Sequence, residues 1–229
     1  KYLMINNIFK RIITSLFLLF LLIFGLYYND ILWNILVTIF LILCFYEFYN
    51  LIKKIYKSKY IFTILVFLIS LYLYFFHSLL IKIKHQFGEE FILILLISCI
   101  FSDIGGYIIG KLVGGPKLTS ISPNKTISGA LGSFFFTVCG TISFVMFLNK
   151  IVNYPILQTL SLKIIIWLIL MSLYSQIGDL IISYLKRKAK IKDTGNILPG
   201  HGGVLDRLDG ILFAIPFGVL TYYILALDI

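Results

Sequence analysis

Asp206 and Asp209 stand three residues apart, and the stretch before them is dense in cations: Lys186, Arg187, Lys188, Lys190 and Lys192, with Arg207 between the two acids. On a helix this spacing turns both carboxylates to one side, where they can share a hard cation. Between the cations and the acids lies Pro199-Gly200-His201-Gly202-Gly203, a turn whose glycines let backbone come close to a ligand. Carboxylates, basic side chains and a Gly-rich turn are what metal-assisted phosphoryl or nucleotidyl transfer requires. A second loop runs Ser122-Pro123-Asn124-Lys125-Thr126-Ile127-Ser128-Gly129. It offers hydroxyls and one point charge to a phosphate, and reads equally well as a helix-capping turn. It is not the Gly-Lys-Ser/Thr arrangement of a nucleotide-binding P-loop.

Three acids fall within apolar runs: Glu47, Asp103 and Asp179. Each is disfavoured there by roughly 2.5–3.5 kcal/mol at a helix centre, so each needs a partner or a task. Asp103 lies one turn from Tyr107 and beside a stripe of small residues, Ser102, Gly106 and Gly110, that allows close helix packing. Asp179 belongs to a polar face made by Gln176, Asp179, Ser183 and Lys186 on an otherwise apolar helix. Both acids therefore read as lining a site. Glu47, one turn from an interface and without a motif around it, reads as a polar helix contact or a snorkelling side chain. His77 and His85 lack sequence partners and read as structural or surface residues.

The elements that must hold these groups are membrane helices. Hydrophobic residues make up 60% of the 229, charged residues only 13%, and mean hydropathy is +0.99. A soluble domain has about 25% charged residues. A soluble enzyme, a disordered chain and a disulfide scaffold are thereby excluded. Runs near the 20 or so residues that a crossing needs predict seven spans: Ile12–Tyr28, Ile31–Ile52, Tyr60–Ile81, Phe91–Gly110, Ile127–Leu148, Leu162–Leu185 and Ile211–Leu227. The first run is too long, and lacks the small-residue cleavage site, for a signal peptide. The expected fold is all-α, a polytopic bundle of about seven helices. Residues 1–90 would form three N-terminal spans and 91–229 the catalytic membrane domain.

The net charge of +10 follows the same logic. Sixteen of the 20 Lys and Arg fall on one side of the expected bundle and four on the other, which puts the N-terminus in the cytoplasm. Membrane lipid, not nucleic acid, is the partner this charge implies. Cys44, Cys99 and Cys139 lie in apolar runs without a CxxC spacing and read as buried reduced thiols.

The stretch from Ser183 to Asp209 resembles the signature of the phosphatidate cytidylyltransferase (CDP-diacylglycerol synthase) family. Ser183, Lys186, Arg187, Lys192, Asp193, His201, Gly202, Gly203, Asp206, Arg207 and Asp209 match its eleven fixed positions, and a small residue, here Gly195, follows Asp193 at the expected place. Asp103-Ile104-Gly105-Gly106-Tyr107 is similar to the family's D-x-G-A-Y, and Ser122-Pro123-Asn124-Lys125-Thr126 matches its S-P-x-K-T. Ser128 stands where the family often has Glu, and Lys111 follows Gly110 in place of paired Arg.

The resemblance implies that CTP and phosphatidic acid give CDP-diacylglycerol and pyrophosphate, with one or two Mg²⁺ ions as cofactor and a monovalent cation as a further candidate. It implies a homodimer in a bacterial-type inner membrane, with the active site facing the cytoplasm. Asp179, Asp206, Asp209 and Asp103 would hold the metal. Lys125, Lys186, Arg187 and Arg207 would offset phosphate charge, and His201 would orient a phosphate or protonate the leaving group. Ser122, Pro123, Thr126, Ser183, Lys192, Asp193, Gly202 and Gly203 would line the substrates. The alternatives are a CTP-dependent transferase or kinase acting on a polyprenol or archaeol-type lipid, and an ion-coupled transporter. The long basic motif and the lack of an internal repeat disfavour the transporter.

Overall fold

The structure, a computed structural model, describes residues 2–152, 161–200, 202–225 and 227, with side chains described over 13–150 and beyond 160. Among the described residues six helices follow in order: α1 (Tyr2–Tyr28), α2 (Asp30–Ile55), α3 (Lys59–Val113), α4 (Ile127–Val152), α5 (Leu162–Lys188) and α6 (Leu205–Ile224). Among the described residues β-structure is limited to two isolated bridges, Lys117–Thr126 and Leu198–Gly202. α2 to α6 are long and apolar enough to cross a membrane, while the apolar part of α1, Ile13–Tyr28, is shorter. Large apolar side chains such as Phe67, Tyr74, Leu131 and Phe135 point outward. This is an all-helical integral membrane protein, as the composition required.

Local chemistry explains most helix ends. Asn29, with φ −164° and ψ 163°, caps α2 by accepting from Leu32 N at 2.6 Å, and Asp30 sits at the favourable end of the helix dipole. α5 ends in a Schellman turn: Lys190 takes φ 55°, its N–H donates to Arg187 O at 3.0 Å, and Ile191 N donates to Lys186 O at 3.0 Å. α3 contains two of the seven expected spans. Its 55 residues are helical except at Gly88 (φ 81°, ψ −179°), a conformation that L side chains rarely adopt. The polar run 82–90, expected as a connecting loop, is otherwise helical. Lys, Gln and Glu are good helix formers, and the buried Lys84 pairs with Glu89 at 3.5 Å.

Contacts group the chain into two compact units, Lys1–Lys82 with Leu185–Leu208, and Ile83–Tyr184 with Asp209–Ile229. In the first, α1 and α2 form a tight hairpin in which Leu36 fills the space beside Gly25. α2 buries Trp33, Val37, Leu41, Cys44, Phe48 and Leu51, a stripe at helical spacing. His77 finds partners on α2, its Nε2 lying 2.8 Å from Asn34 Oδ1 and 3.1 Å from Thr38 Oγ1.

The second unit has an aromatic centre. Phe91 stacks on Trp167 with centroids 6.1 Å apart, Tyr222 meets both edge-on, and Trp167 Nε1 donates to Gly218 O at 2.7 Å. Small residues draw α3 and α4 together. Added Cβ atoms on Gly105 and Gly132 would stand 2.5 and 2.9 Å from each other's carbonyl oxygens. The expected stripe takes part: Ser102 O accepts from Ser133 Oγ at 2.7 Å, Ser102 Oγ lies 2.8 Å from Ser172 Oγ, and Gly110 faces Gly129. The three cysteines form no disulfide; Cys44 and Cys99 are buried, but Cys139 is exposed on α4.

Candidate active site

A cavity of about 330 Å³ in the second unit is lined from α3, α4, α5 and the loop 114–126. Asp103, Gly106 and Tyr107 reach it from α3, and Gln176 and Asp179 from α5. Ser122, Asn124, Lys125 and Thr126 close one side. The two intramembrane aspartates singled out in the sequence thus share one cavity with the Ser-Pro-Asn-Lys-Thr turn.

The capping reading of that turn holds at its last residue. Thr126 is the helix cap: its Oγ1 accepts from Gly129 N at 3.1 Å, three residues on, at the start of α4. The loop is drawn closed by Leu118 N donating to Lys125 O at 2.8 Å, Lys125 N to Ser122 O at 3.0 Å and Ile127 N to Pro116 O at 3.1 Å. Ser128 ties it further by donating to Gly114 O. With the backbone so held, Lys125 extends its side chain across the cavity and donates to Asp179 Oδ2 at 2.5 Å. Both side chains are about a quarter exposed, so the pair is neither dry nor fully screened. Gln176 Nε2 donates to Ser172 Oγ at 3.2 Å, which fixes its rotamer on the same face of α5.

The first unit holds most of the basic signature. Lys186, in the last turn of α5, donates to Asp206 Oδ1 at 2.8 Å. Asp206 Oδ2 accepts from Gly203 N at 3.0 Å and from Thr194 N at 2.8 Å. The Gly203 bond is the backward half of a capping box, an acidic residue reaching the N–H three positions before it. Three of the four lone-pair sites of this carboxylate are therefore used. Gly200 (φ 77°) and Gly202 (φ 85°) turn the chain so that Leu198 N can donate to Gly202 O at 2.9 Å. Arg187, Lys192, Asp193 and Arg207 are exposed and Ser183 is half-buried. Pro123 is exposed and outside the cavity lining. His201 lies outside the described residues. In the second unit Asp209 Oδ1 accepts from Gly210 N at 3.0 Å, and Asp209 O packs against Gly178 of α5.

Glu47 departs from the snorkelling reading. It is 1% exposed, and both its oxygens accept hydrogen bonds from the segment 194–205 of its own unit. The signal for this was in the sequence: a carboxylate in an apolar helix must find donors. Which donors could not be read.

The profile of the cytidylyltransferase family matches residues 53–225. This chain belongs to that family. Among curated members, a phosphatidate cytidylyltransferase of Helicobacter pylori strain J99 is 42% identical over 147 residues, 63% of this chain and 52% of that protein. Those of Bacillus subtilis strain 168 and Staphylococcus aureus strain COL are 38% identical over 143 residues and 39% over 130. These matches cover 62% and 56% of this chain, and 49% and 47% of the two proteins. The chain spans about half the length of the curated relatives it matches. The cytidylyltransferase match takes in the cavity, the 122–126 turn and the whole signature, but begins six residues after Glu47.

Proposed function

We propose that the chain transfers a cytidylyl group from CTP to phosphatidate, giving CDP-diacylglycerol and pyrophosphate, the reaction named for its relatives. The observation that carries this reading is the cavity that Asp103 and Asp179 line from different helices and in which Lys125 pairs with Asp179. Both substrates bring negative charge, so the chemical task is neutralisation and alignment. Deprotonation is a small part of it, since the second pKa of a phosphate monoester is near 6. A phosphatidate oxygen attacks the α-phosphorus of CTP and forms the new P–O bond. The bond from that phosphorus to the α–β bridging oxygen breaks, and its electron pair leaves with pyrophosphate.

Lys125 supplies a point charge to a phosphate oxygen, and Ser122 and Asn124 supply hydrogen bonds. Lys186, Arg187 and Arg207 are proposed to serve the same reaction as cations, and Asp206 and Asp209 as hard oxygen donors. The basic side of the chain is proposed to face the cytoplasm, where CTP is found.

Mg²⁺ fits the donor set at the cavity. Among the described residues no three of His, Cys, Asp and Glu gather as a ready-made cage. Mg²⁺ does not need one, because it characteristically takes one or two carboxylates and completes its shell with substrate phosphates and water. Asp103 and Asp179 would hold it, and it would neutralise charge at the reacting phosphoryl groups. The aspartate carboxylates would orient that charge, and Lys125, paired with Asp179 in the same cavity, would turn its ammonium to a phosphate oxygen.

The test is turnover in liposomes containing phosphatidate, with labelled CTP, with and without Mg²⁺, beside Asp179→Asn. Mg²⁺-dependent labelled CDP-lipid is expected, with at least about tenfold loss in the variant. Product only when a polyprenol or archaeol-type lipid replaces phosphatidate would transfer the reading to another acceptor. No labelled lipid from any acceptor would sink it.

A further inference from the structure

Segment 194–205 is held at both ends by two carboxylates. Thr194 donates its N–H to Asp206 Oδ2 at 2.8 Å and its hydroxyl to Glu47 Oε2 at 2.7 Å. At the other end three consecutive N–H groups are taken: Gly203 by Asp206 at 3.0 Å, Val204 by Glu47 Oε1 at 3.0 Å and Leu205 by Glu47 Oε2 at 2.9 Å. The last two are among the orphan donors of a helix start. Neither Gly203 nor Val204 has a side chain able to accept them, so these two N–H groups lack the acceptor that an N-cap side chain would supply. Glu47, reaching from α2, takes that part, and its charge sits at the positive end of the α6 dipole. Val204 and Leu205 are 1% and 0% exposed, so water could not replace it.

The same carboxylate explains two signature positions. A Cβ on Gly195 would stand 2.5 Å from Glu47 Oε1 and 3.0 Å from its Cδ. A Cβ on Gly203 would collide with Glu47 Oε2 and with Thr194 Oγ1. Gly195 has no positive φ, so its small size answers crowding by Glu47 and not backbone strain.

We infer that Glu47 is a positioning residue for the signature loop: it caps α6, clamps Thr194 and thereby sets where the Asp206–Lys186 pair stands. α2 then helps to place the signature loop, although Glu47 lies before the residues matched by the family profile, 53–225. This inference rests on the proposed reaction for its effect on rate, and on geometry alone for its effect on the loop.

The experiment reads both in the full chain. Glu47→Gln keeps the volume but sets an NH₂ against backbone N–H donors. Amide hydrogen exchange at Val204 and Leu205 is expected to rise about tenfold or more, and kcat per folded molecule to fall about ten- to hundredfold. A role in stability alone would lower yield and melting temperature and leave kcat per folded molecule unchanged. Gly195→Ala should impair turnover by itself, and Glu47→Ala with Gly195→Ala should be no worse than Glu47→Ala alone, because the obstructing carboxylate has gone. Strictly additive losses, or unchanged exchange in Glu47→Gln, would overturn the inference. A wild-type protein without turnover, whose exchange still responds to Glu47→Gln, would refute the proposed reaction and leave the clamp standing.

Discussion

Replacing Gly105 by Ala tests whether the cavity depends on the close approach of α3 and α4. The added Cβ would lie 2.5 Å from Gly132 O and 2.5 Å from Phe136 Cβ, against an ordinary contact of 3.4 Å or more. One obstacle is backbone, so no rotamer change relieves it, and the helices must part by about 0.9 Å. A gap of that size forfeits a quarter to a half of each dispersion contact across the seam. The Ser133–Ser102 bond, now 2.7 Å, would be stretched beyond hydrogen-bonding range. Overpacking costs about 1–3 kcal/mol and a lost interhelical hydrogen bond about 0.6 kcal/mol. Alanine returns about 1 kcal/mol of helix propensity. The net loss is about 0.6–2.6 kcal/mol, read by denaturant titration in detergent micelles beside Ile104→Ala, an exposed neighbour expected to change stability by less than about 0.5 kcal/mol. Turnover should suffer more, because Asp103 moves with its helix and a displacement near 1 Å can cost about a hundredfold. A Gly105→Ala protein as stable and as active as the parent would refute the close packing on which the cavity depends.

Lys186→Met and Asp206→Asn should be strongly coupled in a double-mutant cycle, by about 1–3 kcal/mol, since their side chains are only 15% and 7% exposed; independent effects on kcat/KM would show that the pair acts separately. Thr126→Ala removes the cap of α4 and should destabilise the protein by about 1 kcal/mol, with a rise in the KM for CTP as the adjacent Lys125 loses its anchored backbone; an unchanged KM with lowered stability would confine Thr126 to capping.

Residues whose chemistry is local were legible in the sequence. Asp103 and Asp179 stood out because a carboxylate in an apolar helix is costly, and each could be assigned to a polar face from spacing alone. A helix-capping turn over 122–129 is one of two open readings, and the sequence does not single out Thr126 as its cap. Gly88 was harder, because its neighbours Lys84 and Glu89 are polar enough to suggest a loop and also good helix formers. The two pair locally, five residues apart across the glycine. Glu47 reads in the sequence as a polar helix contact or a snorkelling side chain, and its partners are not legible there. Its partners lie 147 to 158 residues away, and nothing in the period of α2 distinguishes a donor-seeking carboxylate from one that reaches toward water. The signature pattern required small residues at 195 and 203 without indicating what occupied the space beside them.

Those long separations also order the events of synthesis. Glu47 is made early, and Thr194, its first partner, emerges 147 residues later. At about 5–20 residues per second, that is an interval of roughly 7–30 s. Throughout it, a carboxylate that ends fully enclosed must be held by water, lipid headgroups or the insertion machinery. The loop-closure entropy for so distant a contact must also be met before its hydrogen bonds contribute. The clamp is therefore among the last features to form. A nascent chain halted before residue 194 carries in its second helix an acid whose donors at 194, 204 and 205 have not yet been made.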